Sequence, residues 1–239
     1  MKIHRFIDPE FNLRQEEVNI ANPRIVHQIQ KVLRMQKGDK VVLGDGRGLE
    51  AKVELKGFGN KEIMAQVEER FENTREPQTE VTLYISVLKK DKMEWLAEKV
   101  TEVGVKKIVP ITSERTVKLN LRYDRLQKIV TEAAEQSGRG VIPEIGDKIS
   151  LEEAIDEAKN ERDVNFFFHP EGDEAEFDSQ VREQGKIGVF VGPEGGWSEQ
   201  EAGLAYNKDL SIVKMGDLTL RGETAGIMAS YLSFYIKFT

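Results

Sequence analysis

Val189–Ser198 reads VFVGPEGGWS: the end of an unbroken apolar run, a glycine-rich turn, and a serine followed by Glu199, Gln200 and Glu201. Ser198 with Glu201 three residues on is a capping box, so the stretch is a buried strand that passes through a loop into a helix. Upstream, Ile187–Val191 and Val164–Phe168 are continuous apolar runs, the pattern of strands covered on both faces. Helical stretches alternate with such runs. Asp91–Val103 carries Met93, Leu96, Val100 and Val103 on one face and stops at Gly104. Tyr123–Ser137 repeats the pattern with Leu126, Ile129, Val130, Ala133 and Ala134, and stops at Gly138. Ser150 and Glu153 make a second capping box. With Val81–Val87, Lys107–Ile111 and Ile212–Lys214 as further strands, the alternation predicts an α/β domain, a mostly parallel sheet flanked by helices.

The grammar before residue 72 differs. Lys2–Ile7 reads as a strand, and Asn22-Pro23 opens a short helix carrying Ile25, Ile29, Val32 and Leu33 that ends near Gly38. Lys40–Leu43, Leu49–Leu55 and Glu62–Glu69 are short strands separated by the glycine clusters Gly44–Gly48 and Gly57–Asn60. This predicts a small β-rich domain of barrel type over residues 1–72. The polar stretch Phe71–Glu80 (FENTREPQTE) has no periodicity and contains Pro77, so residues 73–80 form a linker and 81–239 the α/β domain.

Composition fits a folded protein: 39% of the 239 residues are hydrophobic and 32% charged, and no apolar stretch approaches the ~18 residues of a membrane span. Met1–Asp8 lacks the apolar core of a signal peptide and the chain has no cysteine, which together predict a cytoplasmic location. The net charge of −7 argues against a polyanionic partner, but the charge is uneven. Residues 1–72 hold 13 Lys/Arg against 12 Asp/Glu, whereas 73–239 hold 22 against 30. Arg24, Lys31, Arg34, Lys37 and Lys40 fall within Asn22–Lys40 beside one acid, Asp39, leaving a basic face available.

Ligands of α/β sheets bind beyond the carboxyl ends of strands, where glycines let the backbone come close to them. The Gly192–Gly196 loop has that position. It is neither a Walker loop nor a dinucleotide fingerprint, and a glycine loop also serves as a plain tight turn. A second loop, Met215–Arg221 (MGDLTLR), follows the strand Ile212–Lys214 and leads into the terminal helix through Gly222–Ala225, so the two loops could line one site. The terminal segment Glu223–Phe238 is apolar almost all round, which calls for burial in the core or a subunit interface. His4, His27 and His169 have no metal-ligand spacing, and no metal is expected.

VGPEGGWSEQE (Val191–Glu201), MGDLTLRGETA (Met215–Ala225), KKDKMEW (Lys89–Trp95) and EAAEQSGR (Glu132–Arg139) closely resemble the bacterial 16S rRNA uracil-N3 methyltransferase family, over essentially the whole chain. Arg5-Phe6, Val32–Met35 and the Gly44–Gly48 turn look like that family's PUA-like RNA-binding domain. The resemblance implies a SPOUT fold with a C-terminal trefoil knot, S-adenosylmethionine bound between the knot loops, and a homodimer. It also implies 16S rRNA of the small ribosomal subunit as partner, methylated at N3 of one uridine in the decoding region. Periodicity alone predicts an unknotted sheet, since knots are rare.

By the same resemblance the cofactor contacts fall on His169, Gly192, Pro193, Gly195, Gly196, Met215, Gly216, Leu218 and Leu220. RNA contacts are expected at Arg24, Arg34 and Lys37 from the basic face, and at Arg5, Lys89, Lys92 and Arg115 from the resemblance. His169, lying before Pro170, reads equally as a turn residue. The uridine N3 must lose its proton as it attacks the sulfonium methyl group, so Arg221 is the first candidate to stabilise the uracil anion, and Glu194 and Glu223 are candidate proton acceptors or hydrogen-bond partners. A carboxylate in a helix's first turn, as at Glu223, is favourable without any catalysis. Lys118, Arg122, Arg125 and Lys128 read as a solvated or RNA-facing surface. Two other readings are a SPOUT enzyme for another rRNA or tRNA nucleoside and an RNA-binding assembly factor without turnover; the intact glycines and Arg221 favour the enzyme.

Overall fold

The computed structural model describes residues 3–116, 120–173 and 185–235. Lys118, Lys2 and the end of the terminal segment lie outside them. The chain forms two compact units, one of residues 1–76 with 134–142, the other of 77–133 with 143–239.

In the first unit β1 (His4–Ile7), β2 (Glu17–Ile20), β3 (Lys40–Gly44), β4 (Leu49–Phe58) and β5 (Ile63–Glu72) make one sheet in the order β1-β3-β4-β5-β2. Only β1 and β3 run parallel. Alternation along β4 turns Ala51, Val53 and Leu55 inward, where they meet Phe6, Ile25 and Ile29 in a single core. Irregularities between Lys52/Val53 and Leu55/Gly57 interrupt the β4–β5 register and curve the ribbon around that core. Helix α1 (Pro23–His27) begins as its sequence dictates, with the Asn22 side chain accepting the Arg24 N–H at 3.0 Å and proline in the first turn. It does not continue to Gly38. A π-turn over Gln28–Val32 follows, and Arg34 adopts φ +53, a left-handed conformation that ends the helix and leaves Val32 62% exposed.

Two of the residues read as RNA contacts, Arg5 and Arg24, are paired within this unit. Arg5 binds Glu50, which is fully buried, through Nε at 2.7 Å and Nη2 at 3.2 Å. Glu135 takes Arg24 bidentately at 2.7 and 2.9 Å and also accepts the Ile7 N–H at 2.8 Å. Removing one partner of a buried pair costs about 3–5 kcal/mol, and partial exposure of Arg24 lowers that here. Glu135→Ala is therefore expected to destabilise the unit by about 2–3 kcal/mol in urea unfolding, and Glu135→Gln by less, since the amide still accepts the Ile7 N–H. An unchanged midpoint in both would show that the pair is not a support of the unit.

The second unit holds an all-parallel sheet in the order β12-β10-β11-β6-β7-β8. Its strands are β6 (Glu80–Ser86), β7 (Lys107–Thr112), β8 (Glu144–Ile145), β9 (Ile149–Ser150, which also pairs with β7), β10 (Val164–Phe168), β11 (Lys186–Val191) and β12 (Ser211–Val213). Central strands β6 and β11 are buried almost throughout, as continuous apolar runs require. Helix α2 (Lys90–Val103) buries Met93, Leu96 and Val100 and stops at Gly104, whose φ of 120 suits glycine. Tyr123–Ser137 is α3. Both capping boxes form, Ser150–Glu153 opening α4 (Leu151–Glu161) and Ser198–Glu201 opening α5 (Glu199–Asn207).

The last helix, α6 (Gly222–Tyr235), packs on α2, β6 and β11 through a small-residue face of Gly226, Ala229, Ser230 and Ser233. A Cβ at Gly226 would come within 2.9 Å of Leu96. Close approach by small residues fixes this helix on its inner face, while Met228 and Tyr231 are 41% and 45% exposed. The chain path leading to it is unusual. From β12, at the sheet's edge beyond β10, the chain returns to lay α6 on β6 and β11, and a Cβ at Gly222 would be 3.4 Å from the Gly192 carbonyl. The return thus passes against the β11 loop.

Candidate functional site

The carboxyl ends of β10, β11 and β12 lie side by side, so the segments leaving them converge. The β11 loop rests on Trp197, whose buried indole stacks on Phe167 at 4.5 Å and donates from Nε1 to the Phe168 carbonyl at 3.1 Å. A tight turn closes the loop, with the Gly196 N–H bonded to the Pro193 carbonyl at 2.9 Å and Gly196 at φ +69. Arg115 ties it down from the side, Nη1 donating to the carbonyls of Gly195 at 2.8 Å and Trp197 at 3.2 Å. The second loop leaves β12 through Lys214, paired with Asp217 at 3.0 Å, and turns at Gly216, also at φ +69. His169 is held by its N–H on the Val213 carbonyl at 2.8 Å, and its Nδ1 accepts the Glu171 N–H at 3.2 Å.

Between the loops lies a cavity of about 450 Å³, a size that suits a small organic ligand. All the cofactor candidates, His169, Gly192, Pro193, Gly195, Gly196, Met215, Gly216, Leu218 and Leu220, line it. So do Glu194 and Arg115, and with them Phe168, Trp197 and Thr219, which sequence reasoning missed. The tryptophan directly after Gly195-Gly196 was the one signal for these. The lining pairs apolar walls with backbone-rich glycine turns and a few charges, which fits a nucleoside bearing a zwitterionic tail.

Lys92, an RNA contact in the sequence reading, is ion-paired beside the cavity. Its Nζ lies 3.1 Å from Glu194 Oε1 and 3.3 Å from Glu223 Oε2, joining the β11 loop to the first turn of α6. Partial burial pushes the Glu194 carboxyl up, but its own backbone N–H, Lys92 and Lys89 outweigh that and hold it below the usual carboxylate range. Lys92 is raised, chiefly by its hydrogen bond to Glu194. Glu194 is therefore ionised at neutral pH and a weak proton acceptor, which suits it to holding charge. Arg221 lies between Leu220 and Gly222, both of which line the cavity; its side chain is exposed and without a partner among the described residues. Arg5 and Arg24 are engaged by Glu50 and Glu135, whereas Arg34, Lys37 and Lys89 are exposed. No group of three or more His, Cys, Asp or Glu fit to hold a metal occurs among the described residues.

A parallel sheet with a C-terminal re-entry past a glycine loop, and a cavity between the two loops, defines a SPOUT-type, trefoil-knotted methyltransferase fold with a PUA-like first unit. Residues 74–233 match the RNA methyltransferase domain model and 22–68 the RNA methyltransferase PUA domain model. The chain is 28% identical over 233 residues to ribosomal RNA small subunit methyltransferase E of Bacillus subtilis, covering 92% of this chain and 88% of that one. It is 31% identical over 215 residues to the Aquifex aeolicus protein of the same name, covering 87% and 90%. The crystal structure of the Neisseria gonorrhoeae protein of that name, bound to S-adenosyl methionine, matches with a TM-score of 0.87 at 31% identity, covering 96% and 95%. The chain belongs to this family of RNA methyltransferases.

Proposed function

We propose that the protein transfers a methyl group from S-adenosylmethionine to N3 of one uridine in the decoding region of 16S rRNA, within the small ribosomal subunit. The observation that carries this is the cavity framed by the two knot loops in a chain of this family. The cofactor supplies an electrophilic methyl on a sulfonium, so the protein has no leaving group to activate. Its task is to orient the uracil and favour loss of the N3 proton to solvent. Arg221, exposed beside the cavity between Leu220 and Gly222, is proposed to stabilise the uracil anion as that proton leaves. Glu194 and Glu223, bound by Lys92, tie the β11 loop to the start of α6. Residues 1–72 act as the RNA-binding domain, 73–80 as linker and 81–239 as the catalytic domain.

No helix among the described residues is long and apolar enough to cross a membrane, and the proposed site of action is the cytoplasm. The active form is proposed to be a homodimer, because Trp95 on α2 and Met228 and Tyr231 on the adjoining α6 leave large apolar side chains 41–45% exposed. Nucleoside mass spectrometry of rRNA from cells lacking the protein tests the reaction: the N3-methyluridine is expected to disappear, and to return on adding protein and S-adenosylmethionine to isolated small subunits. Binding of subunits without methyl transfer would favour the non-catalytic assembly factor. RNA contact has its own test. Replacing Arg34 and Lys37 together by serine is expected to weaken RNA binding and to reduce the salt slope by about 0.7 for each phosphate no longer neutralised, leaving cofactor affinity unchanged. A slope equal to wild type would make both residues ordinary surface.

A further inference from the structure

Arg115 lines the cavity with one nitrogen tied down and donors to spare. Of the other polar groups lining the cavity, Lys214 is paired with Asp217, and His169 Nδ1 accepts the Glu171 N–H. Arg115 bonds only through Nη1, to the carbonyls of Gly195 and Trp197, so Nε and Nη2 have no partner among the described residues. Its stem lies along the loop: a Cβ at Gly195 would be 3.4 Å from Arg115 Cβ and Cδ. Stem and one nitrogen are thus fixed on the β11 loop, and the remaining edge of a planar fork is pre-organised at the cavity wall. A guanidinium edge with parallel N–H groups is matched to a carboxylate or a phosphate oxygen pair.

The surroundings choose between these. Glu114, next to Arg115 in the chain, is exposed and Glu201 accepts its N–H at 2.8 Å, so a phosphate reaching Arg115 would meet the Glu114 carboxylate, Glu194 being already paired with Lys92. A single carboxylate entering from the cavity would not. Elsewhere in the cavity Met215, Leu218 and Leu220 give an apolar wall that suits the flat adenosine, beside Lys214 and Asp217, which pair with each other. We propose that Arg115 binds the α-carboxylate of the cofactor through Nε and Nη2, as well as bracing the loop that carries Glu194. This rests on the reading of the cavity as an S-adenosylmethionine site.

Calorimetry with two probes separates the roles. S-adenosylhomocysteine carries the carboxylate; 5′-methylthioadenosine keeps the nucleoside and sulfur and lacks the amino-acid tail. In Arg115→Met the Kd for S-adenosylhomocysteine is expected to rise roughly 10- to 100-fold, while that for 5′-methylthioadenosine stays within about twofold. Arg115→Lys should recover part of the loss. Equal weakening of both probes would overturn the proposal and leave Arg115 a loop brace. Unchanged affinity for both, with weaker RNA binding, would overturn it in favour of a phosphate contact. Failure of the wild-type protein to bind either probe would instead remove the reading of the cavity, and the assignment with it.

Discussion

Arg221→Lys is expected to slow methyl transfer by about 10²–10³-fold at saturating cofactor and RNA, the effect typical of losing one oriented electrostatic donor. Lysine keeps the charge and discards the planar fork, so the loss reads geometry rather than net charge. The obvious competing role, bracing the loop against a carboxylate, finds no support in the structure: Glu194 and Glu223 are both bound by Lys92, and the Arg221 side chain is exposed. Its backbone is fixed all the same. The Arg221 carbonyl accepts the Ala225 N–H at 2.8 Å at the start of α6, so the side chain projects from a rigid point beside Leu220 and Gly222. Cofactor affinity and melting temperature should then stay near wild type. Single-turnover measurements check this, and partial rescue at high pH would mark deprotonation of the uracil as the slowed step. A normal single-turnover rate would take Arg221 off the list of catalytic residues.

What could be read in advance was whatever local chemistry encodes. The capping boxes at Ser150 and Ser198, the apolar runs of β6, β10 and β11 and the glycine loops all fell where reading placed them, because each depends on neighbours a few residues away. Charge was read less well. Arg5 and Arg24 look like surface cations until Glu50 and Glu135 appear beside them, 45 and 111 residues away along the chain. Lys92 likewise meets Glu194 at a separation of 102, a pairing no window of sequence reveals. The α1 pattern ran on to Val32 in spacing, yet a π-turn and a left-handed Arg34 turn that valine outward. The return of the chain past the β11 loop has no local signature either. Periodicity specifies strands and helices, and says nothing of the order in which one segment passes another; resemblance supplied that.

Gly192→Val is expected to raise the Kd for S-adenosylhomocysteine by roughly 5- to 150-fold, the equivalent of the 1–3 kcal/mol typical of overpacking. The cause is a close approach. A Cβ at Gly192 would be 3.1 Å from Trp197 Cε2 and 3.2 Å from its Cδ2 and Nε1. The indole cannot yield cheaply, since moving it breaks both its bond to the Phe168 carbonyl and its stacking on Phe167. The loop must move instead. Displacement at Gly192 also reaches the start of α6, because its carbonyl faces Gly222. Gly195→Ala makes the contrast: its Cβ would meet Arg115 at 3.4 Å, an ordinary contact, and should cost much less. A double-mutant cycle of Gly192→Ala with Trp197→Phe, read as cofactor affinity by calorimetry, isolates the collision. The smaller ring should relieve most of the alanine's effect, giving an affinity close to that of Trp197→Phe alone. Losses that simply add would show that residue 192 and the indole do not collide, and that the close approach is not what shapes the loop.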